Sequence, residues 1–254
     1  MPAPDATTRF SSRVENYVRY RPGYPPEILD LLRDKCDLTP TTQIADIGFG
    51  TGLFTRLLLE NGNPVTGIEP NAEMRRAGEK FLAEFPRFHA VAGTAETTTL
   101  ADHSVDIVTA AQAAHWFDRE GARREFQRIL RPCGWVVLLW NERITDSTPF
   151  LIEYERLLLK YGTDYSEVRH ERTTDIISEF FAPSPYEEQT FAMRQTFDLP
   201  ALEGRVFSSS YTPQLGDPNY DPLRRDLAEL FHRCQMDGQI AFEYWTRVFF
   251  GRLS

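Results

Sequence analysis

Apolar positions along this chain alternate between two rhythms. Short apolar runs that stop at a glycine, a proline or a polar turn read as strands buried on both faces: QIADIG (43–48), NPVTGIEP (63–70), RFHAVAG (87–93), SVDIVTAAQ (104–112) and GWVVLLWNE (134–142). Between them, apolar residues recur at helical spacing in GLFTRLLLENG (52–62), NAEMRRAGEKFLAEF (71–85) and DREGARREFQRIL (118–130). Gly62 is placed to end the first of these helices and Asn71 to cap the second. Strands and helices alternating at this length predict right-handed βαβ units on one mostly parallel sheet.

The rhythm changes at both ends. Tyr17, Tyr20 and Tyr24 recur at helical spacing, Pro22 interrupts them, and YPPEILDLLRDKC (24–36) restarts a helix near Pro26. After Glu142, residues 147–185 read as helical insertions, with PFLIEYERLLLKYG (149–162) the clearest. YEEQTFAMRQTFD (186–198) predicts a sixth strand, and two further helices are expected over 199–209 and 222–236. QIAFEYWTRVFFGRL (239–253) alternates bulky and polar side chains after an Asp237-Gly238 turn, as a last strand does. With no repeat, low-complexity tract or Gly/Ser linker, one domain over 1–254 is expected.

Composition narrows the function classes. Lys and Arg number 28 against 37 Asp and Glu, a net charge of −9, and no basic run follows a phosphate backbone, so nucleic acid is disfavoured as a partner. Cys36, Cys133 and Cys234 lie far apart, without a CxxC or metal-ligand spacing, which points to a reduced, cytoplasmic protein with no metal site. The N-terminus lacks an apolar signal core and no eighteen apolar residues run together, so neither secretion nor a membrane span is expected. Nothing in the sequence reads on oligomeric state.

The first strand-to-helix turn carries the candidate chemistry. Gly48, Gly50 and Gly52 follow Asp46 in ADIGFGTG, where a doubly wound sheet binds ligands. Such a cluster is either a ligand cradle or an ordinary tight turn. A dinucleotide fingerprint requires a third glycine at position 53, and that residue is Leu53, so an NAD-type oxidoreductase is the weaker alternative. Glu69 closes the second strand, where a carboxylate can accept two hydrogen bonds from a ribose diol.

ADIGFGTG, GIEPNAEM, GTAETTTLADHSVDIVTAAQAAHWFD and RILRPCGWVVLLWNE, in this order over 43–142, resemble class I S-adenosylmethionine-dependent methyltransferases. YVRYRPGYP and AAHWF are similar to the trans-aconitate-methyltransferase-like, small-molecule branch. The resemblance implies a seven-stranded α/β sheet of order 3-2-1-4-5-7-6 with the last strand antiparallel. It divides the chain into N-terminal cap helices (1–36), a cofactor-binding core (37–142), lid insertions with the sixth strand (143–236) and the final strand (237–254). It implies S-adenosyl-L-methionine as cofactor, S-adenosyl-L-homocysteine as product and a small-molecule acceptor, a carboxylic acid in the named branch. Asp46, Gly48, Gly50 and Gly52 match the loop beside the cofactor's methionine part, Glu69 the ribose acid, and Pro70 and Met74 apolar neighbours of the adenine. Ala95 and Glu96 match the adenine-edge loop and Gln112 the strand end near the sulfonium, while Tyr17, Tyr20 and Arg21 are expected to cover the cofactor.

Three positions depart from the family pattern. Thr94 replaces an Asp, Phe49 a small residue inside the glycine loop, and Cys133 a turn glycine before the fifth strand. RPCG at 131–134 sits at the wrong end of the sheet for a nucleophilic cysteine, so Cys133 reads as a turn residue. His115 is the candidate general base if the acceptor carries a proton, and otherwise a pocket wall with Trp116 and Phe117. Lys160, Arg169, His170 and Arg172 read as a solvated helix face or as attraction for an anionic acceptor. A cofactor-binding domain without catalysis stays open as a third reading.

Overall fold

The computed structural model describes residues 20–163, 165 and 173–253. Tyr17, Arg169, His170 and Arg172 lie outside them. Seven strands form one sheet in the order β3-β2-β1-β4-β5-β7-β6. They are β1 Ile44–Ile47, β2 Val65–Ile68, β3 Phe88–Val91, β4 Val105–Ala111, β5 Leu130–Arg143, β6 Tyr186–Phe197 and β7 Ile240–Gly251. β1 to β5 are parallel, and β7 runs antiparallel between β5 and β6. This is the topology expected from the sequence.

Helices cover both faces, as purely apolar strands require. α1 (Glu27–Lys35) precedes β1, and α2 (Leu53–Glu60) and α3 (Ala72–Phe81) connect β1 to β2 and β2 to β3. Ile28 and Leu32 of α1 and Phe54 and Leu58 of α2 join Val137, Leu139 and Val248 in the core on one face. On the other face, α4 (Arg119–Ile129) and α6 (Thr173–Phe181) bring Phe126, Phe180 and Phe181 onto Val136, Leu138 and Phe249. Alternate residues of β5 therefore serve opposite cores, the period-two geometry of a strand.

A third core belongs to the lid. α5 (Pro149–Tyr161), α7 (Leu199–Phe207) and α8 (Tyr220–Cys234) pack Leu151, Leu158, Leu202, Leu227 and Leu230 around Phe242 and Tyr244 at the start of β7. β6 is antiparallel to β7, so it ends on the rim where β1 to β5 end, and both α7 and α8 connect there. The lid therefore covers the carboxyl ends of the parallel strands.

Several boundaries differ from the sequence reading: the helix read over 71–85 ends at Phe81 and the one over 199–209 at Phe207. β5 begins at Leu130 rather than 134, because Cys133 takes a left-handed conformation (φ 67°) and the chain passes from α4 into the strand through an irregular register against Val105–Ile107. Cys133 is exposed at the end of the sheet opposite the rim, and it lies at a left-handed irregularity inside the strand rather than in a turn before it. The predicted 222–236 helix starts two residues earlier, at Tyr220, and ends at Cys234. Asp237 (φ 51°) and Gly238 (φ 75°) then make the expected turn into β7. Among the described residues no helix is long and apolar enough to cross a membrane, and no group of His, Cys, Asp and Glu forms a metal cluster.

One carboxylate anchors the loop after β3 to α4. Glu125 accepts from the Thr98 backbone N–H (2.8 Å) and hydroxyl (2.6 Å) and pairs with Arg128 at 2.7 Å. Those bonds, Arg128 first, hold its carboxyl down at about 2, from an ordinary 4.5. A depressed folded pKa stabilises above the unfolded value and is lost as pH falls through the folded one. Glu125→Ala is expected to lose roughly 2–3 kcal/mol at pH 7, since the buried Thr98 donors lose a charged acceptor. In urea unfolding, the gap to wild type should be complete above about pH 4.5 and narrow towards pH 3.

Candidate functional site

Because β1 to β5 are parallel, their exits share one rim, where they enclose a cavity of ≈ 460 Å³. Its walls come from Asp46–Thr51 after β1, Glu69–Pro70 after β2, Gly93–Glu96 after β3, Gln112–Phe117 after β4 and Trp140–Asn141 in β5. Arg21, Pro22 and Tyr24 cover it from the N-terminal side, and Ser210 and Tyr211 from the lid. Its volume lies within the range of small-molecule sites.

The glycine loop is built around two buried acids. Asp46, 1% exposed, accepts from the Thr55 hydroxyl of α2 (2.6 Å) and the Thr109 hydroxyl of β4 (2.8 Å). Burial pushes its carboxyl up to about 6, against the pull of the two threonines, and Glu69 adds a smaller push in the same direction. Glu69 accepts from the Gly50 N–H at 3.0 Å through one oxygen and from the Asn71 N–H at 2.9 Å through the other. Burial raises its carboxyl, while the Asn71 and Gly50 amides pull it down. Asn71 in turn caps α3, accepting from Glu73 N and Met74 N. Each oxygen of Glu69 keeps a lone pair for a further donor.

The glycines divide by role. Gly48 and Gly50 line the cavity with φ of 68° and 58°. A Cβ at Gly48 would lie 2.7 Å from Ala113 Cβ, whereas at Gly50 the nearest neighbour is the flexible Met74 Cε at 3.4 Å. Gly52 departs from its expected place at the ligand. Its Cα faces Leu82, where a Cβ would meet Cδ1 at 2.6 Å, and it starts α2 in the left-handed region. Phe49 points away from the loop into the space between β2 and α3. A Cβ at Gly67 or Gly78 would come within 2.6 or 2.5 Å of its ring, so those two glycines are what admit a large side chain in place of a small one.

Of the other expected site residues, Arg21, Pro70, Met74, Ala95, Glu96, Gln112 and His115 all line the cavity. Glu96 also accepts from the Asp118 N–H at 2.9 Å, starting α4. Gln112 is held at φ 57°, with its Nε2 donating to the Asn141 carbonyl at 3.1 Å and its N–H to Leu139 O at 2.9 Å. His115 stands on a single 3₁₀ turn, Ala114–Trp116, with its ring 4.9 Å from that of Trp116. Tyr20 departs from expectation. Its ring packs on Gly204 of α7, and Gln195 Nε2 donates to its carbonyl at 3.3 Å, so it fastens the lid rather than lining the cavity. Arg21 adds a bond from Nη2 to Ser208 O at 3.2 Å. Lys160 pairs with Asp226 at 3.1 Å on the outside of the lid.

Sequence reasoning missed Asn141, Ser210 and Tyr211. Asn141 donates to Gly23 O at 3.0 Å and accepts from the Thr246 hydroxyl at 2.6 Å, tying the N-terminal segment to β5 and β7. Its position at the end of a parallel strand, equivalent to that of Gln112, was the available signal. Ser210 and Tyr211 follow a lid helix and carry no local signature.

Comparison with known proteins agrees with this geometry. The profile of the family described as "Methyltransferase domain" matches residues 45–138. An uncharacterized methyltransferase-like protein of Schizosaccharomyces pombe is 35% identical over 245 residues, covering 94% of this chain and 93% of the relative. An uncharacterized methyltransferase of Mycobacterium bovis is 41% identical over 139 residues, 55% of this chain, and the chain spans about half (54%) of that relative's length. A solved structure titled a type II methyltransferase, from Anaeromyxobacter dehalogenans, superposes with a TM-score of 0.69 at 21% identity, covering 92% of this chain and 98% of its own. A methyltransferase structure from Anabaena variabilis superposes with a TM-score of 0.63 at 24% identity, covering 92% and 99%. At these identities the two structures establish the shared fold.

The glycine geometry predicts a split among three substitutions. Gly48→Ala and Gly52→Ala force a Cβ into Ala113 and Leu82 at positive φ, and each is expected to destabilise by roughly 1–3 kcal/mol. Gly50→Ala places its methyl beside a movable Met74 and should lose no more than about 1–2 kcal/mol. Thermal unfolding of the three variants checks the order.

Proposed function

This chain belongs to the class I S-adenosylmethionine-dependent methyltransferase family, and we propose that it binds S-adenosyl-L-methionine in the rim cavity and methylates a small-molecule acceptor, a carboxylic acid. The observation that carries this reading is the joining of a bare glycine backbone to a buried acid. Glu69, 8% exposed, holds the Gly50 amide and faces the same cavity as Gly48 and Gly50. That donor and acceptor set fits an adenosyl group. Glu69 is the acceptor for the ribose hydroxyls, Pro70 and Met74 are apolar walls for the adenine, and Ala95 and Glu96 stand at its edge. Arg21 is the partner for the amino-acid carboxylate, and Asp46 and Gln112 bound that end.

When bound, the sulfonium supplies an already activated methyl group. The chain's part is then orientation and exclusion of water. Gln112 and Asn141, locked to each other at the ends of β4 and β5, fix the floor between the cofactor and acceptor halves. His115, Trp116, Phe117 and Trp140 form a mostly apolar wall, which strengthens each polar contact inside. An ionised carboxylate accepts a methyl group without losing a proton, so His115 is read as wall rather than base. The net charge of −9 supports a small acceptor over nucleic acid.

Isothermal calorimetry should show S-adenosyl-L-homocysteine binding and no binding of NAD. Glu69→Ala is expected to weaken S-adenosyl-L-homocysteine by about 1.5–3 kcal/mol, the range for hydrogen bonds to a charged group. Binding of NAD in preference, or equal affinity in wild type and Glu69→Ala, would overturn the assignment.

His115 has its own test in methyl-transfer kinetics. His115→Gln should raise the acceptor's KM and leave the pH profile of kcat unchanged. A loss of roughly 10²–10⁴-fold in kcat, with disappearance of an acidic limb, would make it a general base and the acceptor a hydroxyl or amine.

A further inference from the structure

One buried group of cations has no part in the chemistry described above. Arg143, at the end of β5, has a side chain 10% exposed and pairs with Glu155 of α5 at 2.6 Å, while also donating to the Tyr165 hydroxyl at 2.9 Å. That pair is neutral. Arg205 of α7 differs: it is 4% exposed and makes no ion pair with a carboxylate among the described residues. Its Nη1 donates to Ser209 Oγ at 3.1 Å, and its guanidinium lies 5.7 Å from the centre of the Phe242 ring. Arg205 Nε and Arg143 Nη1 are buried without a well-formed hydrogen bond, and the groups that face Arg205 are the neutral hydroxyls of Tyr244, Tyr211 and Tyr154. A cation held out of water without a counter-ion costs several kcal/mol, and buried donors without acceptors add to that. A lid of leucines and phenylalanines does not need such a group for packing.

Its place in the fold indicates what it serves. Arg143 pairs across the sheet with Tyr244 of β7, on the half opposite β1 and β2, which carry the glycine loop and Glu69. Between the halves stand Gln112 and Asn141. Ser209 is followed directly by Ser210 and Tyr211, the two lid residues that line the cavity. Burial raises the Tyr211 hydroxyl, but the charges of Arg205, Arg21 and Arg143 outweigh it and hold the phenol below its ordinary range. A more acidic phenol is a stronger hydrogen-bond donor, and Tyr211 lines the cavity while lying close to the three arginines.

We propose that the cavity end lined by Ser210 and Tyr211 is an anion subsite for the acceptor, in which Tyr211 donates to a carboxylate and Arg205 supplies the buried positive charge that selects for it. Arg205 is a positioning residue, acting through Tyr211 and the Ser209–Ser210 turn. The inference rests on the methyl-transfer reading and assigns the charge preference to residues outside the cofactor half.

Calorimetric titration of the full chain, with and without S-adenosyl-L-homocysteine, uses four carboxylates (benzoate, phenylacetate, succinate and glutarate) and their amides as probes. At least one carboxylate should bind roughly tenfold more tightly than its amide. Arg205→Met, which keeps an unbranched apolar stem and removes the charge, should erase that preference, and Arg205→Lys should restore part of it. The affinity for S-adenosyl-L-homocysteine should change by under about twofold in both variants, because Arg205 does not line the cavity beside the glycine loop or Glu69. Tyr211→Phe keeps the ring and removes the donor, and should weaken the carboxylate by about fivefold even if Arg205→Met does not fold. Equal binding of acids and amides, no binding of any carboxylate, or full preference in the variant that folds would overturn the subsite. A parallel loss of S-adenosyl-L-homocysteine affinity in Arg205→Met would assign the cation to the cofactor and overturn it as well. Absence of S-adenosyl-L-homocysteine binding with an intact charge preference overturns the methyl-transfer reading alone.

Discussion

The carboxylate of Glu69 joins two elements that would otherwise meet only across an open crevice. One oxygen holds the Gly50 amide of the loop after β1, and the other holds the Asn71 amide that starts α3. Both bonds are to backbone, so any side chain could follow them, but the acid itself has to sit at the end of β2. Its removal from water raises the energy of the charged form, and the two amides offset part of that. Asp46 does the corresponding work one strand away, tying α2 and β4 to β1 through two threonine hydroxyls. Together they give a loop with little side-chain packing a defined shape.

Around that brace the packing has been adjusted in matched pairs. Phe49 occupies the loop position where the resemblance implies a small residue, and Gly67 and Gly78 clear the volume its ring takes between β2 and α3. The ring also meets Phe88 edge-on at 5.4 Å, so the exchange moves hydrophobic mass from the loop to the edge of the sheet. The cavity side of the loop is left to backbone. In the lid, Tyr20 against Gly204 repeats the arrangement, a large ring accepted by an absent side chain. Arg21, Gln195 and Asn141 then fasten the N-terminal segment over the cavity by bonds to main-chain carbonyls.

The charged groups near the rim are distributed by the sheet order. The acids Asp46 and Glu69 stand at the ends of β1 and β2, while Arg143 ends β5 and Arg205 lies buried in α7, and neither arginine is among the residues that line the cavity. β4 stands between the two acids and Arg143, which is neutralised by Glu155 of the lid.

Local sequence was enough for the elements and for several of the residues that line the rim. Period-two and helical apolar patterns, Asn71 as a cap, the Asp237-Gly238 turn and the glycine cluster are decided within a few residues, and parallel topology follows from their alternation. The rim residues Gly48, Gly50, Glu69 and Gln112 were legible because a parallel sheet puts every strand exit on one side. Gly52 and Tyr20 were misplaced because their neighbours, Leu82 and Gly204, are far away in sequence. Ser210, Tyr211, Arg143 and Arg205 were not legible at all as a group. Their meeting depends on how three lid helices pack on the start of β7, a matter of long-range burial that no window of sequence contains. The sequence by itself determined where the backbone must be bare. Only the tertiary structure decided which distant side chains face it.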